Sequence, residues 1–354
     1  MKFVVYLSVI IIFTIIIYIS FAKTFQSFPK SVLITNHFSV TKPRITPLQA
    51  VITNNDPLSI EQMRSKKYPG SNLQIKQTLV DGQNYHQYIV SFTSDGLLEF
   101  GLLTVPIGVK PKRGWPVVLF NHGYIPPTSY TSTGNYQAYV NSLAQNGYIV
   151  FKPDYRGNGN SSGVPIQPYI SSSYITDDLN ALSSIKQYKD ANPNEIGIWG
   201  HSMGGNITLH DLVIVKNIKA AVIWAGVVGT ESDILTWWNT RIQSGILTGN
   251  DLDTSKTITQ LVNQKGNAAK NPDYWNSIDP TYYASSITSP VALFVSENDN
   301  EVPSSFSNSL QQILKQNNKK VELYIYPGTD HNLTQSFDPA MNQTLMFFNT
   351  YLKQ

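Results

Sequence analysis

A serine between two glycines gives the clearest chemical signal in this chain. The pentapeptide is Gly200-His201-Ser202-Met203-Gly204, which follows a short apolar run and precedes a helical pattern. A serine on a sharp strand-to-helix turn exposes its hydroxyl, and the flanking glycines leave space for the tight backbone. Backbone N–H groups at the start of the helix then point towards developing negative charge. We therefore predict Ser202 as a nucleophile.

One histidine that follows Ser202 is placed where it could take the proton of the serine. His331 lies in the segment GTDHN at 328–332, directly after the last predicted strand, so a loop can bring its imidazole to Ser202. His210 cannot do this, because it lies inside the helix that begins at the nucleophile. We predict His331 as the base.

The imidazole needs an acidic side chain to orient it. Candidates follow the preceding predicted strand, at Glu297, Asp299 and Glu301, and Asp330 lies beside the histidine. We predict Asp299, because the Val-Pro pair at 302–303 starts the next helix and fixes its loop. Asp330 is too close in sequence to His331 for an inward hydrogen bond and is expected to brace its own turn.

Negative charge on an attacked carbonyl oxygen requires two N–H donors. The backbone N–H of Met203, directly after the nucleophile, is the first predicted donor. The second is expected from the segment NHGY at 121–124, where we predict the backbone N–H of Tyr124, with its hydroxyl as the alternative. His122 in the same segment is interpreted as a structural residue. Neither a metal nor an organic cofactor is expected.

Strands and helices alternate over most of the chain, which predicts a mostly parallel α/β sheet with helices on both faces. Antiparallel strands are predicted ahead of it, at Leu73 to Val80, Tyr85 to Ser94 and Leu97 to Val105. Further strands are predicted at Pro116–Asn121, Tyr148–Pro153, Ile196–Trp199, Ala220–Ala225, Val291–Ser296 and Val321–Tyr326. Helices are predicted at Tyr136–Gln145, Ile175–Tyr188, Gly204–Val215, Ser304–Gln316 and Pro339–Leu352.

A long segment, residues 226–289, separates two successive strands and is predicted to form a cap, since loops of this length are usually functional. It is rich in aromatic residues. We predict Trp237, Trp238 and Arg241 as substrate-binding residues, and the alternative is that the aromatic residues pack the cap onto the domain.

The first residues contrast with the rest of the chain. Residues 3–22 carry no charge and are long enough to span a bilayer as a helix, so we predict a membrane anchor. The alternative is a signal peptide cleaved after Ser20-Phe21-Ala22. Either route places the catalytic domain, predicted at 61–354, outside the cytoplasm. The proline-rich residues 23–60 are interpreted as a linker.

Composition excludes several function classes. The formal net charge is +3, charged residues make up 14% of the chain, and no Lys/Arg-rich run is present, so no nucleic-acid partner is expected. The absence of cysteine removes disulfides, thiolate nucleophiles and cysteine-based metal sites.

These motifs together resemble the α/β-hydrolase superfamily and, within it, the catalytic domain of the prolyl oligopeptidase family, which includes dipeptidyl and acylaminoacyl peptidases. Dienelactone-hydrolase-like esterases are also similar. The resemblance is carried by NHGY at 121–124, DYRGNGNSSG at 154–163, GHSMGG at 200–205, ENDNEVP at 297–303 and GTDHN at 328–332.

The resemblance implies an α/β-hydrolase fold and a serine peptidase that acts on short peptides through an acyl-enzyme. A carboxylesterase of small acyl esters is the alternative, since the β-propeller that usually precedes this domain in the peptidases has no counterpart here. A third hypothesis, a non-catalytic binding module, is disfavoured by the complete set of three predicted residues. By the same resemblance, the 154–163 loop shapes the entrance to the site.

Overall fold

The computed structural model describes residues 56–166, 171–245 and 250–353. The predicted membrane segment, 3–22, and the linker up to residue 55 lie outside these residues and stay predictions. Within the described ranges, no helix combines the length and the apolar character needed to cross a membrane.

One mixed sheet organises the described part of the chain. Its strands are β1 (Gln74–Thr78), β2 (Tyr85–Ser94), β3 (Leu97–Pro106), β4 (Trp115–Asn121), β5 (Ile149–Pro153), β6 (Ala191–His201), β7 (Ala220–Trp224), β8 (Val291–Ser296) and β9 (Val321–Tyr326). Their order across the sheet is β1-β2-β3-β5-β4-β6-β7-β8-β9. The pairs from β1 to β3 and the β3–β5 pair are antiparallel, and all other pairs are parallel. The predicted mostly parallel α/β fold is therefore confirmed.

Helices connect these strands. They are α1 (Ile60–Ser65), α2 (Gln137–Gln145), α3 (Ser173–Lys186), α4 (Met203–Ile214), α5 (Glu231–Ser244), α6 (Asn250–Lys265), α7 (Pro272–Ile278), α8 (Ser304–Gln316) and α9 (Phe337–Leu352), with short 3₁₀ turns at Ala284–Ser286 and Thr334–Ser336.

Both faces of the sheet are buried. Along β4, Val117 and Leu119 join a core cluster that includes residues of α1, α3, α4 and α8. Val118 and Phe120 point the other way, into a cluster with α2 and α9. Because successive side chains of a strand face opposite sides, an uninterrupted apolar run is the pattern expected of a strand covered on both faces.

The folded domain begins earlier than predicted. Ile60 is 0% exposed and is the first residue of α1, a helix that the sequence does not predict. Asp56 pairs with Lys265 at 2.9 Å. Residues 56–60, assigned to the linker from their proline content, therefore belong to the packed domain, because Ile60 and Met63 supply apolar side chains to the core.

The insertion between β7 and β8 is helical and carries α5, α6 and α7. Helix α5 begins with a capping box, in which the Thr230 hydroxyl accepts from the Asp233 N–H at 3.1 Å and Asp233 accepts back. Such a cap satisfies N–H groups that have no partner within the helix.

Candidate active site

Ser202 occupies a strained turn between β6 and α4. Its backbone has φ 55° and ψ −120°, a conformation that L-residues rarely adopt. The flanking glycines are needed for close approach: a Cβ on Gly204 would lie 1.9 Å from the Asn121 carbonyl oxygen, and one on Gly200 would lie 2.3 Å from the Thr208 hydroxyl. The turn therefore presents the Ser202 side chain above the carboxyl edge of the sheet.

His331 and Asp299 are joined by a hydrogen bond. The Nδ1 of His331 lies 2.9 Å from Oδ2 of Asp299, and the two side chains are 5% and 0% exposed. The other oxygen of Asp299 accepts the N–H groups of Glu301 and Val302, at 2.9 and 3.0 Å. Because a carboxylate only accepts, Nδ1 carries the proton and Nε2 is left with its lone pair. This Nε2 is buried and makes no hydrogen bond with the described residues.

Ser202 and His331 line one open cavity of about 320 Å³, together with Gly123 and Tyr124. No hydrogen bond joins the Ser202 hydroxyl to His331 within the described structure. Such contacts are often loose in unliganded enzymes and tighten when substrate binds. The geometry thus brings a hydroxyl, an imidazole and a carboxylate to one edge of the sheet.

The other acidic residues considered as partners of His331 make no hydrogen bond to its imidazole within the described residues. Asp330 accepts the N–H groups of Asn332 and Thr334, at 3.0 and 2.5 Å. These hydrogen bonds lower its pKa despite partial burial. Glu297 and Glu301 are exposed, although Glu301 reaches the rim of the cavity. Asp330 therefore braces its own turn, as expected from the sequence.

The two predicted oxyanion donors, Met203 and Tyr124, lie on the segments that follow β6 and β4. Met203 is the first residue of α4, where backbone N–H groups have no acceptor within the helix. The N–H of Gly123 is already engaged, since it donates to the Tyr136 hydroxyl at 2.9 Å. Tyr124, 37% exposed, lines the cavity. Tyr124 as the second donor stays a prediction.

His122, interpreted as a structural residue, is buried in this loop. Its Nδ1 lies 2.7 Å from the Gly123 carbonyl, and its ring stacks between Tyr130 and Tyr155 with centroids 4.6 and 4.5 Å away. Burial lowers the pKa of His122 to about 3, so the ring is neutral. It braces the loop and does not line the cavity with Ser202.

A hydrogen-bonded chain that the sequence did not predict links the two loops of the site. The Nε2 of His201 lies 3.2 Å from the carbonyl of His331 and donates to it. Because Nε2 carries the proton, Nδ1 of His201 accepts a hydrogen bond from the Tyr136 hydroxyl at 2.7 Å. The oxygen of that hydroxyl accepts a hydrogen bond from the Gly123 N–H. Burial, and then the proximity of His331, lowers the pKa of His201 to about 3, so the ring stays neutral.

A buried polar cluster holds the strand end beneath the nucleophile. The Asn121 amide donates to Asp178 at 3.0 Å, to Thr208 at 3.2 Å and to Asp211 at 3.3 Å. The Thr208 hydroxyl continues to the Gly204 carbonyl at 2.8 Å. Burial raises the pKa of both Asp178 and Asp211, and the neighbouring Asp178 carboxyl raises that of Asp211 further. One proton shared by the pair is the arrangement that satisfies two adjacent buried carboxyls.

The structure does not place Trp237, Trp238 or Arg241 with Ser202. Trp238 is 4% exposed and belongs to the core. Trp237 packs edge-on against Phe306 at 5.8 Å, and the Arg241 guanidinium lies over the Trp237 ring at 5.4 Å. These contacts are the ones expected if the aromatic residues pack the cap onto the domain, which was the alternative. A substrate-binding role for the three residues stays a prediction.

Tyr136→Phe is expected to lower kcat/KM by about 10- to 100-fold, mainly through kcat. The substitution keeps the ring and removes the oxygen that accepts from Gly123 and donates to His201, so both loops lose a fixed position. Steady-state kinetics test this against Tyr148→Phe, which loses a similar bond to Asn349 at 2.8 Å away from the site. Equal effects of the two variants would contradict it.

Asp211→Asn is expected to make stability less dependent on pH. The raised pKa of the pair means that the folded chain keeps a proton that the unfolded chain releases near pH 4. The free energy of unfolding therefore falls as the pH rises above about 4. The slope is at most about 1.4 kcal/mol per pH unit for each proton that only the folded chain holds. Asparagine keeps the shape of a protonated carboxyl without titrating, so the decline becomes shallower.

Urea unfolding between about pH 5 and about pH 8 measures that slope. Asp273→Asn, at an exposed helix start, is the matched control. If Asp211→Asn and the wild-type chain showed parallel slopes, the shared proton would be ruled out.

Comparisons with known proteins show which family this chain resembles. The prolyl oligopeptidase family matches residues 135–354. A Bacillus subtilis protein named uncharacterized peptidase YtmA is 24% identical over 265 residues, which cover 75% of this chain and 91% of that protein.

Solved structures share the fold. Acylaminoacyl peptidase of Pyrococcus horikoshii has a TM-score of 0.61 at 21% identity, over 77% of this chain and 42% of that one. Acetyl xylan esterase from Paenibacillus sp. R4 has a TM-score of 0.61 at 16% identity, over 83% of this chain and 92% of that one. This chain thus spans less than half of the acylaminoacyl peptidase and most of the esterase. Since the family match extends over more than half of its length, the chain belongs to the prolyl oligopeptidase family.

Proposed function

We propose that this protein is a serine peptidase of short peptides in which Ser202, His331 and Asp299 act together. The observation that carries the proposal is the buried 2.9 Å bond between His331 and Asp299. It leaves Nε2 of His331 without a hydrogen-bond partner among the described residues, and His331 lines the same cavity as Ser202. An imidazole held in this way can accept a proton from a neighbouring hydroxyl.

The reaction proceeds in two halves. The Ser202 oxygen attacks the carbonyl carbon as its proton passes to Nε2 of His331, and Asp299 stabilises the resulting imidazolium. The N–H of Met203 and a donor from Tyr124 stabilise the oxyanion. His331 then gives its proton to the leaving amine, and the acyl group stays on Ser202. In the second half, His331 activates a water that releases the acid and restores the serine.

The family and the named peptidase YtmA support an amide substrate. A carboxylesterase of small acyl esters is the second candidate, favoured by the fold shared with the acetyl xylan esterase over most of that chain. Both activities use the same acyl-enzyme, so the residues of the site serve either. In both, the helical insertion between β7 and β8 is proposed as the cap that shapes the substrate cavity.

The test is hydrolysis of an aminoacyl p-nitroanilide and of a short p-nitrophenyl ester by the wild-type chain and by Ser202→Ala. The wild-type chain is expected to cleave both, because amide cleavage is the harder reaction. Ser202→Ala is expected to lose about 10⁶-fold in kcat on each substrate.

The control is Ser244→Ala, which removes an exposed hydroxyl at the end of α5. Turnover of the ester alone would replace the peptidase by the carboxylesterase. Retention of both activities in Ser202→Ala would contradict the assignment of the nucleophile.

A further inference from the structure

Charge is distributed unevenly between the two edges of the sheet. The segments that lead into the parallel strands, with the residue after α9, carry nine basic residues and one acidic residue, Asp190. The segments that leave those strands, at the edge of Ser202, carry one basic residue, Arg156, and five acidic ones. The nine basic residues are Lys110, Lys112, Arg113, Lys189, Lys216, Lys219, Lys319, Lys320 and Lys353, and the five acidic ones are Asp154, Glu297, Asp299, Glu301 and Asp330. The edge opposite the site is therefore positively charged.

Part of this charge follows from the helices. Helices that connect parallel strands end at the amino edge of the sheet, and a cation near a helix C-terminus is stabilised by the helix dipole. Lys189, Lys216 and Lys319 each lie within three residues of such an end. The segment 107–113, however, joins strand β3 to strand β4, and no helix precedes it. The helix dipole therefore does not explain its three basic residues.

The segment 107–113 also exposes aliphatic side chains. Val109 is 94% exposed, and Ile107 is exposed as well. The Ile107 N–H donates to the Asn84 carbonyl at 2.8 Å, which places the segment beside the turn between β1 and β2. Val80 in that turn is 87% exposed. Two adjacent connections thus hold aliphatic side chains in water, where they lose the stabilisation that burial gives.

Basic side chains flank these aliphatic ones. Lys112 and Arg113 are exposed and form no ion pair with the described residues. They line one open groove with Lys353 and the half-buried Glu195. In this groove three cations therefore face one acid.

The other acidic residues near the segment have partners within the domain. Oδ1 of Asp190 lies 2.8 Å from Nζ of Lys110, and Oδ1 of Asp81 lies 2.9 Å from Nδ1 of His86. These acids therefore do not neutralise Lys112 and Arg113.

Exposed aliphatic side chains among cations are the pattern of a surface that binds an anionic bilayer. The aliphatic groups enter the boundary between headgroups and acyl chains, and the cations stay beside the anionic headgroups. A soluble polyanion such as a nucleic acid would engage the cations and leave the valines in water. The combination therefore favours a bilayer over a polyanion.

We propose that the segment 107–113 and the turn at 79–84 dock the domain on a bilayer that contains anionic lipid. Val80 and Val109 enter the headgroup region, and Lys112 and Arg113 contact the lipid phosphates. Because Ser202 lies at the opposite edge of the sheet, its cavity then faces the water, and substrate reaches it from solution. The inference is independent of the reaction proposed for Ser202.

The experiment measures the environment of position 109 in the full chain. The chain has no cysteine, so Val109→Cys introduces a single site for a maleimide fluorophore whose emission depends on polarity. The matched control is Val164→Cys, at a 73% exposed valine that follows β5 on the edge of Ser202. The vesicles contain phosphatidylcholine alone, or equal parts of phosphatidylcholine and phosphatidylglycerol. If residues 3–22 anchor the chain, both vesicles hold it, so the readout is the emission of the label rather than binding.

Two pairs of charge reversals are compared in the Val109→Cys chain. Lys112→Glu with Arg113→Glu reverses the proposed surface. Lys256→Glu with Lys270→Glu, at exposed lysines of the insertion, changes the net charge equally and is the control.

The label at 109 is expected to shift to the blue and to brighten by about twofold or more on the anionic vesicles only. The label at 164 is expected to keep its emission on both vesicles. The reversal at 112 and 113 is expected to abolish the response at 109, and the control reversal is expected to keep it.

Unchanged emission at 109 on anionic vesicles, equal changes at 109 and 164, or equal responses of the two charge reversals would overturn the docking surface. A response to soluble heparin as large as the response to anionic vesicles would overturn it in favour of a polyanion partner. Hydrolysis of a short p-nitrophenyl ester by the same labelled chains reports on the proposed function, so the two proposals fail separately.

Discussion

The hydrogen bond between Nδ1 of His331 and Oδ2 of Asp299 is the interaction on which the site depends. It determines which imidazole nitrogen carries a proton, and so which one can receive the proton of a hydroxyl. The bond is protected from water, with the Asp299 side chain fully buried. Two backbone N–H groups also hold the carboxylate, so the orientation of the imidazole is set by the loop after β8 rather than by side-chain rotamers alone.

The sheet brings the partners of this bond together. Ser202 follows β6, the NHGY segment follows β4, Asp299 follows β8 and His331 follows β9, all at the carboxyl ends of parallel strands. Such ends meet at one edge, where ligands of open α/β sheets bind. Hydrogen bonds through Tyr136 and His201 join the NHGY segment to the loop that carries His331. The Asn121 cluster fixes the end of β4 beneath these loops.

Much of the fold could be predicted from the sequence because its signals are local. Strands β8 and β9 and helix α8 have the bounds predicted from the sequence, because apolar runs and flanking turn residues mark where they begin and end. The GHSMGG and GTDHN segments likewise identified residues that the structure brings to one cavity. The α1 helix was missed because prolines on its N-terminal side suggested a linker, whereas tertiary packing of Ile60 and Met63 makes it part of the domain.

What could not be predicted depends on distant contacts. His201 is visible inside the pentapeptide, but its partner Tyr136 lies 65 positions away, and no local pattern connects them. Glu231 appears in the sequence as an ordinary acid at a helix start, and only the structure shows that it is buried. Trp237 and Trp238 of the insertion are predicted from the sequence to bind substrate. Trp238 is instead packed in the core, because burying its large apolar surface is favourable.

The most direct measurement of the central claim is kcat/KM of Asp299→Asn beside the matched variant Asp330→Asn. Asparagine at 299 preserves the size of the side chain but favours the wrong imidazole tautomer, so the account predicts a loss of about 10⁴-fold. Asp330→Asn, which alters only its own turn, should stay within about tenfold of the wild-type value. Near wild-type activity of Asp299→Asn, or equal losses in both variants, would contradict the account.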